Sequence, residues 1–164
     1  GRVDVDRCRA MMEVIGERPA IFHRAYDVTP EPFEALDQLV ELGFTRILTS
    51  GQENTVPQGI PFLRELIEKA GDRIEILPGG GIDVFNLQYV IEHTGANQIH
   101  LAAFKTQFDP STQSRPQVTF GGALYPPENQ YDLINRDMIQ KVAGELAQNR
   151  RKLRVEGQRL KVKG

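Results

Sequence analysis

Ile74-Glu75-Ile76-Leu77-Pro78-Gly79-Gly80-Gly81-Ile82-Asp83 is the stretch whose reading decides the fold. A short apolar run of strand type meets a proline and three successive glycines, and Asp83 stands where it can cap a helix over 84–91. Strand, turn and helix follow in the order of a βα unit, with the turn stripped of side chains at the carboxyl end of the strand. Glycines permit positive φ and let backbone N–H groups approach a ligand, and a helix behind them adds free donors and partial positive charge. The stretch predicts a place that holds an anion. A tight structural turn accounts for the same glycines.

Similar units lie on either side. Val5, Cys8, Met11, Met12 and Ile15 recur at helical spacing until Gly16. Residues 19–27 read as a buried strand whose end turns polar, and Thr29 is placed to cap a helix striped by Phe33, Leu36, Leu39, Val40 and Leu42. A second strand over 46–49 runs into Ser50-Gly51, and the next helix carries Phe62, Leu63, Leu66 and Ile67. Beyond the glycine-rich unit a fourth strand is predicted over 98–103. Strand starts at Ile21, Ile47, Ile76 and Ile99, each separated by a helix, predict a parallel sheet.

Residues 104–129 dissolve into prolines, glutamines, serines and glycines and read as one long loop. A last helix is expected from about Tyr131, with Leu133, Ile134, Met138, Val142 and Leu146 on one side. From Arg150 the chain is basic, with Glu156 the lone acid among Arg151, Lys152, Arg154, Arg159, Lys161 and Lys163. The predicted organisation is one body over 1–149 and a basic, flexible tail over 150–164.

Composition narrows the function classes. A formal net charge of −2 over 164 residues gives no global case for nucleic acid or membrane, and the basic tail has no interleaved aromatics. No run of apolar residues reaches membrane-spanning length. The single cysteine, Cys8, excludes an internal disulfide and fits a reducing, cytoplasmic setting. A chain that opens at Gly1 and at once enters a helix predicts a missing upstream piece.

Two architectures accept the pattern, a doubly wound open sheet and part of a (β/α)8 barrel, and both put ligands beyond the carboxyl ends of the strands. The polar residues there are His23, Arg24 and Asp27, then Thr49, Ser50, Gly51 and Gln52, then Gly79, Gly80 and Gly81, then His100. Four strands do not close an eight-stranded barrel, so the barrel reading requires more chain or a second chain, and predicts a homo-oligomer.

Phe22-His23-Arg24-Ala25-Tyr26-Asp27, Leu48-Thr49-Ser50-Gly51 and Leu77-Pro78-Gly79-Gly80-Gly81 resemble, in order and spacing, the CutC family of copper homeostasis proteins. The resemblance runs from the first helix to about Ala103. It implies an α/β chain of the parallel-stranded (β/α)8 TIM-barrel type with only about the last four βα units present, a cytoplasmic location and a role in copper handling. The chain departs from the family at Ala102, where relatives tend to carry a serine, and the cysteines proposed as copper ligands in some members fall outside it.

Three functions follow as expectations. The first is a cytoplasmic copper-homeostasis protein that binds copper or another small ligand at the strand ends, with Asp27, Thr49, Ser50, Gly51, Gly79, Gly80, Gly81 and His100 as binding residues. Copper is implied by the resemblance, and the metal ligands stay unassigned. Cu(I) prefers thiolates and thioethers, and Cys8, Met11 and Met12 on one helix read equally as an ordinary core face. The second is a barrel enzyme of small phosphorylated or carboxylated metabolites, with His23 as acid/base, Arg24 as anion clamp and the glycine loop holding charge; for an anionic ligand at the glycine turns Lys105 is available as a cation. The third is a half-barrel that serves as an assembly partner. Glu75 is either a catalytic carboxylate or the partner of Arg46, and His93 suits a helix end.

Overall fold

The computed structural model describes residues 1–115, 117, 118 and 128–147. The chain divides into two compact units, Gly1–Leu101 and Ala102–Gly164, where the sequence reading expects one body over 1–149. The predicted basic tail lies outside the described residues.

The first unit alternates helices and parallel strands: α1 (Val5–Ile15), β1 (Ile21–Phe22), a short 3₁₀ helix (Arg24–Val28), α2 (Pro32–Glu41), β2 (Arg46–Thr49), α3 (Val56–Ala70), β3 (Glu75–Pro78) and α4 (Leu87–Thr94). The strands lie in sheet order β1-β2-β3, with Ile21 opposite Arg46 and Arg46 opposite Glu75. No described helix is long and apolar enough to cross a membrane.

The two faces of the sheet differ. Ile47, Thr49, Ile76 and Pro78 are buried, as strand alternation requires of positions that share a face. Opposite them Arg46, Leu48 and Glu75 are half-buried, and Leu77 is closed in. Arg46 donates to Glu75 across the register, which settles Glu75 as an ion-pair partner.

Helices α2 and α3 supply the core through Leu36, Leu39, Leu63 and Leu66, all without exposed surface. Each such side chain contributes about 1.5–3 kcal/mol relative to an exposed one. The helices are also linked outside the core, where Phe33 packs on Phe62 with Lys69 over its ring, and Arg73 pairs with Asp37. On α1, Cys8 is buried but Met11 is 62% exposed, so the apolar stripe is narrower than its spacing predicts.

Several predicted elements change. The first strand shrinks to two residues because Arg24–Val28 winds into 3₁₀ turns. Thr29 ends those turns rather than capping α2, with its Oγ1 donating to Tyr26 O at 2.8 Å, and Glu31 is the residue before α2. Asp83 accepts from Phe85 N and Asn86 N, so it caps a turn ahead of α4, which begins at Leu87. The expected fourth strand is one parallel bridge, Gly79 to His100. Edge segments pair on one side only and make fewer ladder bonds, so both edges are shorter than the four-residue β2 and β3.

The second unit overturns the long-loop reading in part. β4 (Phe104–Phe108) pairs antiparallel with β5 (Gln130–Ile134), and Thr106 Oγ1 donates to Asp132 across the pair. Tyr131, Leu133 and Ile134 are therefore strand residues, and the last helix starts later, over 136–147, with Asn135 Oδ1 accepting from Met138 N. Val142 is its buried position. The rest of the expected loop includes residues 116 and 119–127, which lie outside the described residues.

Candidate functional site

Polar side chains converge at the carboxyl ends of β1, β2 and β3, and the centre of that convergence is Asp27. His23 is extended and its Nδ1 accepts from Ala25 N at 3.0 Å, which starts the 3₁₀ helix. That tight helix turns Asp27 back toward the end of β2. Its Oδ1 accepts from Thr49 Oγ1 at 2.5 Å, Ser50 N at 3.1 Å and Gln52 N at 3.2 Å. Its Oδ2 accepts from Arg24 Nε at 2.7 Å and from Ser50 Oγ at 3.0 Å. Gln52 adopts φ +60°, in the left-handed region that non-glycine residues rarely enter, and this brings its N–H to Asp27 while its side chain donates to Thr29 O.

Burial by itself raises the Asp27 carboxyl, since it disfavours the charged form. The hydrogen bonds from Thr49 and Arg24 and from the Ser50 and Gln52 backbones more than offset that, and hold it below its usual value. Tyr26 beside it has no exposed surface and donates to Pro32 O at 2.7 Å. Burial first, then the charges of Asp27 and Asp37, push its phenol well above the ordinary range, so Tyr26 is a neutral core residue.

Arg24 carries the network to the third loop. Its Nε is held by Asp27, and its Nη2 donates to Ser50 Oγ and to Glu53 O. Nη1 has no acceptor among the described residues, and it lies against Gly80: a Cβ built there falls 2.9 Å from it. The three glycines answer to three neighbours. At Gly79 a Cβ would meet Leu48 Cδ1 at 2.6 Å and His100 Cβ at 3.0 Å, and at Gly81 it would meet Thr55 Cγ2 at 2.8 Å. Gly80 and Gly81 also have φ of +120° and +71°. Gly80 O accepts Val56 N at 2.9 Å, and Thr55 O accepts from Gln58 N and Gly59 N, so the N-terminus of α3 is largely satisfied within the chain.

The structure thus brings Arg24, Asp27, Thr49, Ser50 and Gly80 together and seats Gly79 and Gly81 beside them. Gly51 is buried, and its N–H donates to Thr49 Oγ1. His23 and His100 are exposed at the same end of the sheet; His100 joins through the backbone, its N–H donating to Pro78 O at 2.8 Å. Lys105 lies on β4 in the second unit, and His93 Nδ1 donates to Tyr89 O at 2.8 Å near the end of α4.

Sequence reasoning missed Gly59 and Thr55. A Cβ on Gly59 would fall 2.0 Å from Ser50 O, so α3 sits directly on the loop that carries Ser50. The signal was a glycine inside a helix, flanked by Pro57 and Pro61.

The fit to a metal can be tested directly. Among the described residues no group of three or more His, Cys, Asp and Glu side chains could hold an ion. Cys8 is buried, and burial followed by the charge of Asp4 raises its thiol, which disfavours the thiolate that Cu(I) takes. Among the described residues no such cluster forms, and the one thiol is disfavoured as a copper ligand. What the arrangement offers is a fixed guanidinium with one unengaged nitrogen, beside a loop of bare backbone.

Comparison with known proteins places the sequence. The CutC family model matches residues 1–105. The family protein CutC of Treponema denticola is 47% identical over 146 residues, covering 89% of this chain and 59% of that protein. The human copper homeostasis protein cutC homolog is 38% identical, covering 76% of this chain and 45% of its own length. The chain thus spans about half the length of such relatives. A crystal structure of the CutC protein of Streptococcus agalactiae superposes with a TM-score of 0.58 at 38% identity, over 61% of this chain and 50% of that one.

Proposed function

This chain belongs to the CutC family, and from that premise we propose that it is a cytoplasmic binding protein of copper homeostasis that takes a small ligand at the carboxyl ends of its parallel strands. The observation that carries the reading is the Asp27 network, which ties the loops after β1 and β2 together and holds Arg24 against the loop after β3. A saturated carboxylate at the ligand-binding end of a parallel sheet fixes its neighbours and leaves Arg24 for a ligand.

In this reading the sheet is a section of a (β/α)8 barrel. All-parallel sheets are covered on both faces, and here one face is buried while Arg46, Leu48 and Glu75 on the other remain half-buried. The rest of the barrel, from further chain or from a second copy, closes that face. Copper homeostasis stands in the names of relatives, while the described His, Cys, Asp and Glu side chains form no cluster for the ion.

The test is a thermal-denaturation screen of the full chain against small anionic and neutral metabolites, beside a Cu(I) titration with a competing chelator. A ligand-dependent rise in midpoint that disappears in Asp27→Ala is expected, with the chelator keeping the copper. No shift from any compound, or Cu(I) uptake lost in Cys8→Ser, overturns the reading.

A further inference from the structure

We propose that the ligand of this site is an oxyanion, gripped between Arg24 Nη1 and the N–H groups of Gly80 and Gly81. The proposal rests on the binding-site reading above and names its ligand class. Two nitrogens of the guanidinium are committed within the chain, Nε to Asp27 at 2.7 Å and Nη2 to Ser50 Oγ and Glu53 O. The plane of the group is therefore set before any ligand arrives, and one N–H edge is left over. That edge lies against Gly80, where any side chain would collide with it.

The adjoining backbone has the matching property. Gly79 N donates to Thr49 O, and Asp83 N donates to Asn86 Oδ1, so both flanks of the turn are engaged. Gly80 N and Gly81 N have no acceptor among the described residues, although Gly80 is half-buried and Gly81 is exposed. A cationic donor against Gly80 and two neutral donors on the same turn suit a group with two or three oxygens and negative charge. The donors of the following turn are excluded from the site, because Asp83 already accepts from Phe85 N and Asn86 N. Of the carboxylates nearby, Asp27 is spent on Arg24 and the β2 loop, and Asp83 on the two N–H groups of the following turn.

Phosphate and carboxylate share this chemistry, and the experiment separates them. The backbone amide resonances of the full chain are followed while inorganic phosphate is added in one series and acetate in another, at constant ionic strength. Saturable shifts of Gly80 and Gly81 in one series are expected, with the affinity at least tenfold weaker in Arg24→Gln and partly restored in Arg24→Lys. The series that saturates names the anion. Shifts that leave Gly80 and Gly81 unmoved, or an affinity unchanged in Arg24→Gln, overturn the proposal. If Arg24→Gln loses its dispersed spectrum, the map on the unsubstituted chain decides alone. A neutral compound that stabilises the chain while neither anion moves Gly80 or Gly81 removes this proposal and leaves the binding site standing. No ligand of any kind removes both.

Discussion

The parallel sheet of the first unit and the antiparallel pair of the second are both built from strands of four or five residues beyond the short β1, yet they hold their apolar side chains differently. In β2 and β3 every second residue or more is buried under helices, whereas β4 leaves Phe104 and Phe108 at least half exposed and β5 leaves Leu133 and Ile134 so. The difference is one of layers. A strand flanked by crossover helices has its outer face covered as a consequence of connectivity, while a hairpin pair has no such cover built in. Two strands by themselves are marginal in water, and the described part of the second unit buries few apolar residues, Ala103 and Val142, so the stability of the described chain is concentrated in the first unit.

Substitutions can break that contrast, and the largest effect is expected in the shared core of α3. Leu63 has no exposed surface and lies beside Gly51. Leu63→Ala should cost about 2–5 kcal/mol in chemical denaturation of the first unit.

A smaller, pH-dependent effect is expected at Asp27, whose carboxyl is held below its usual value by its donors. A group depressed in the folded state contributes stability above its unfolded value of 3.8, and loses it as the pH falls through the lower folded value. Urea denaturation from roughly pH 5 down to pH 2 should show this acid limb in the natural chain and a flatter one in Asp27→Asn. Near neutrality that variant should be about 1–3 kcal/mol less stable, because buried donors lose a charged acceptor.

The smallest effect sharpens the comparison from the other side. Phe108→Ala, at a half-exposed position of β4, should change stability by less than about 1 kcal/mol. A loss as large as that of Leu63→Ala would place the second unit's stability on a par with the first.

The same contrast explains what could be read from the sequence. Units with helical periodicity and a strand between glycine stops were legible, because local spacing and tertiary burial agree there. The Tyr131-Asp132-Leu133-Ile134 segment was not: its apolar residues continue in register with Met138 and Val142, and only the pairing of Gln107 with Tyr131 and of Lys105 with Leu133 makes it a strand. Asn135, a good cap, was the overlooked mark of the boundary. At the site, the alignment of strand ends gave the cast of residues. It did not give their roles, because a carboxylate that binds ligand and one that anchors an arginine look alike until the donors around them are placed. Gln52 shows the limit most sharply, since its left-handed backbone is imposed by Asp27 from another loop.

The triple glycine also bears on how this sequence can drift. It is three separate constraints, and they differ in what can compensate for their loss. Gly79 lacks a positive φ, so alanine there is opposed mainly by Leu48 Cδ1, with a few tenths of an ångström needed at His100 Cβ. A shorter residue at position 48 relieves the first obstacle, and positions 48 and 79 should therefore covary among descendants of this chain. Gly80 and Gly81 have no such escape, because their backbone angles oppose a side chain whatever Arg24 or Thr55 becomes. In a pool of variants under selection for folding alone, the first glycine of the run is the one that should be seen to wander.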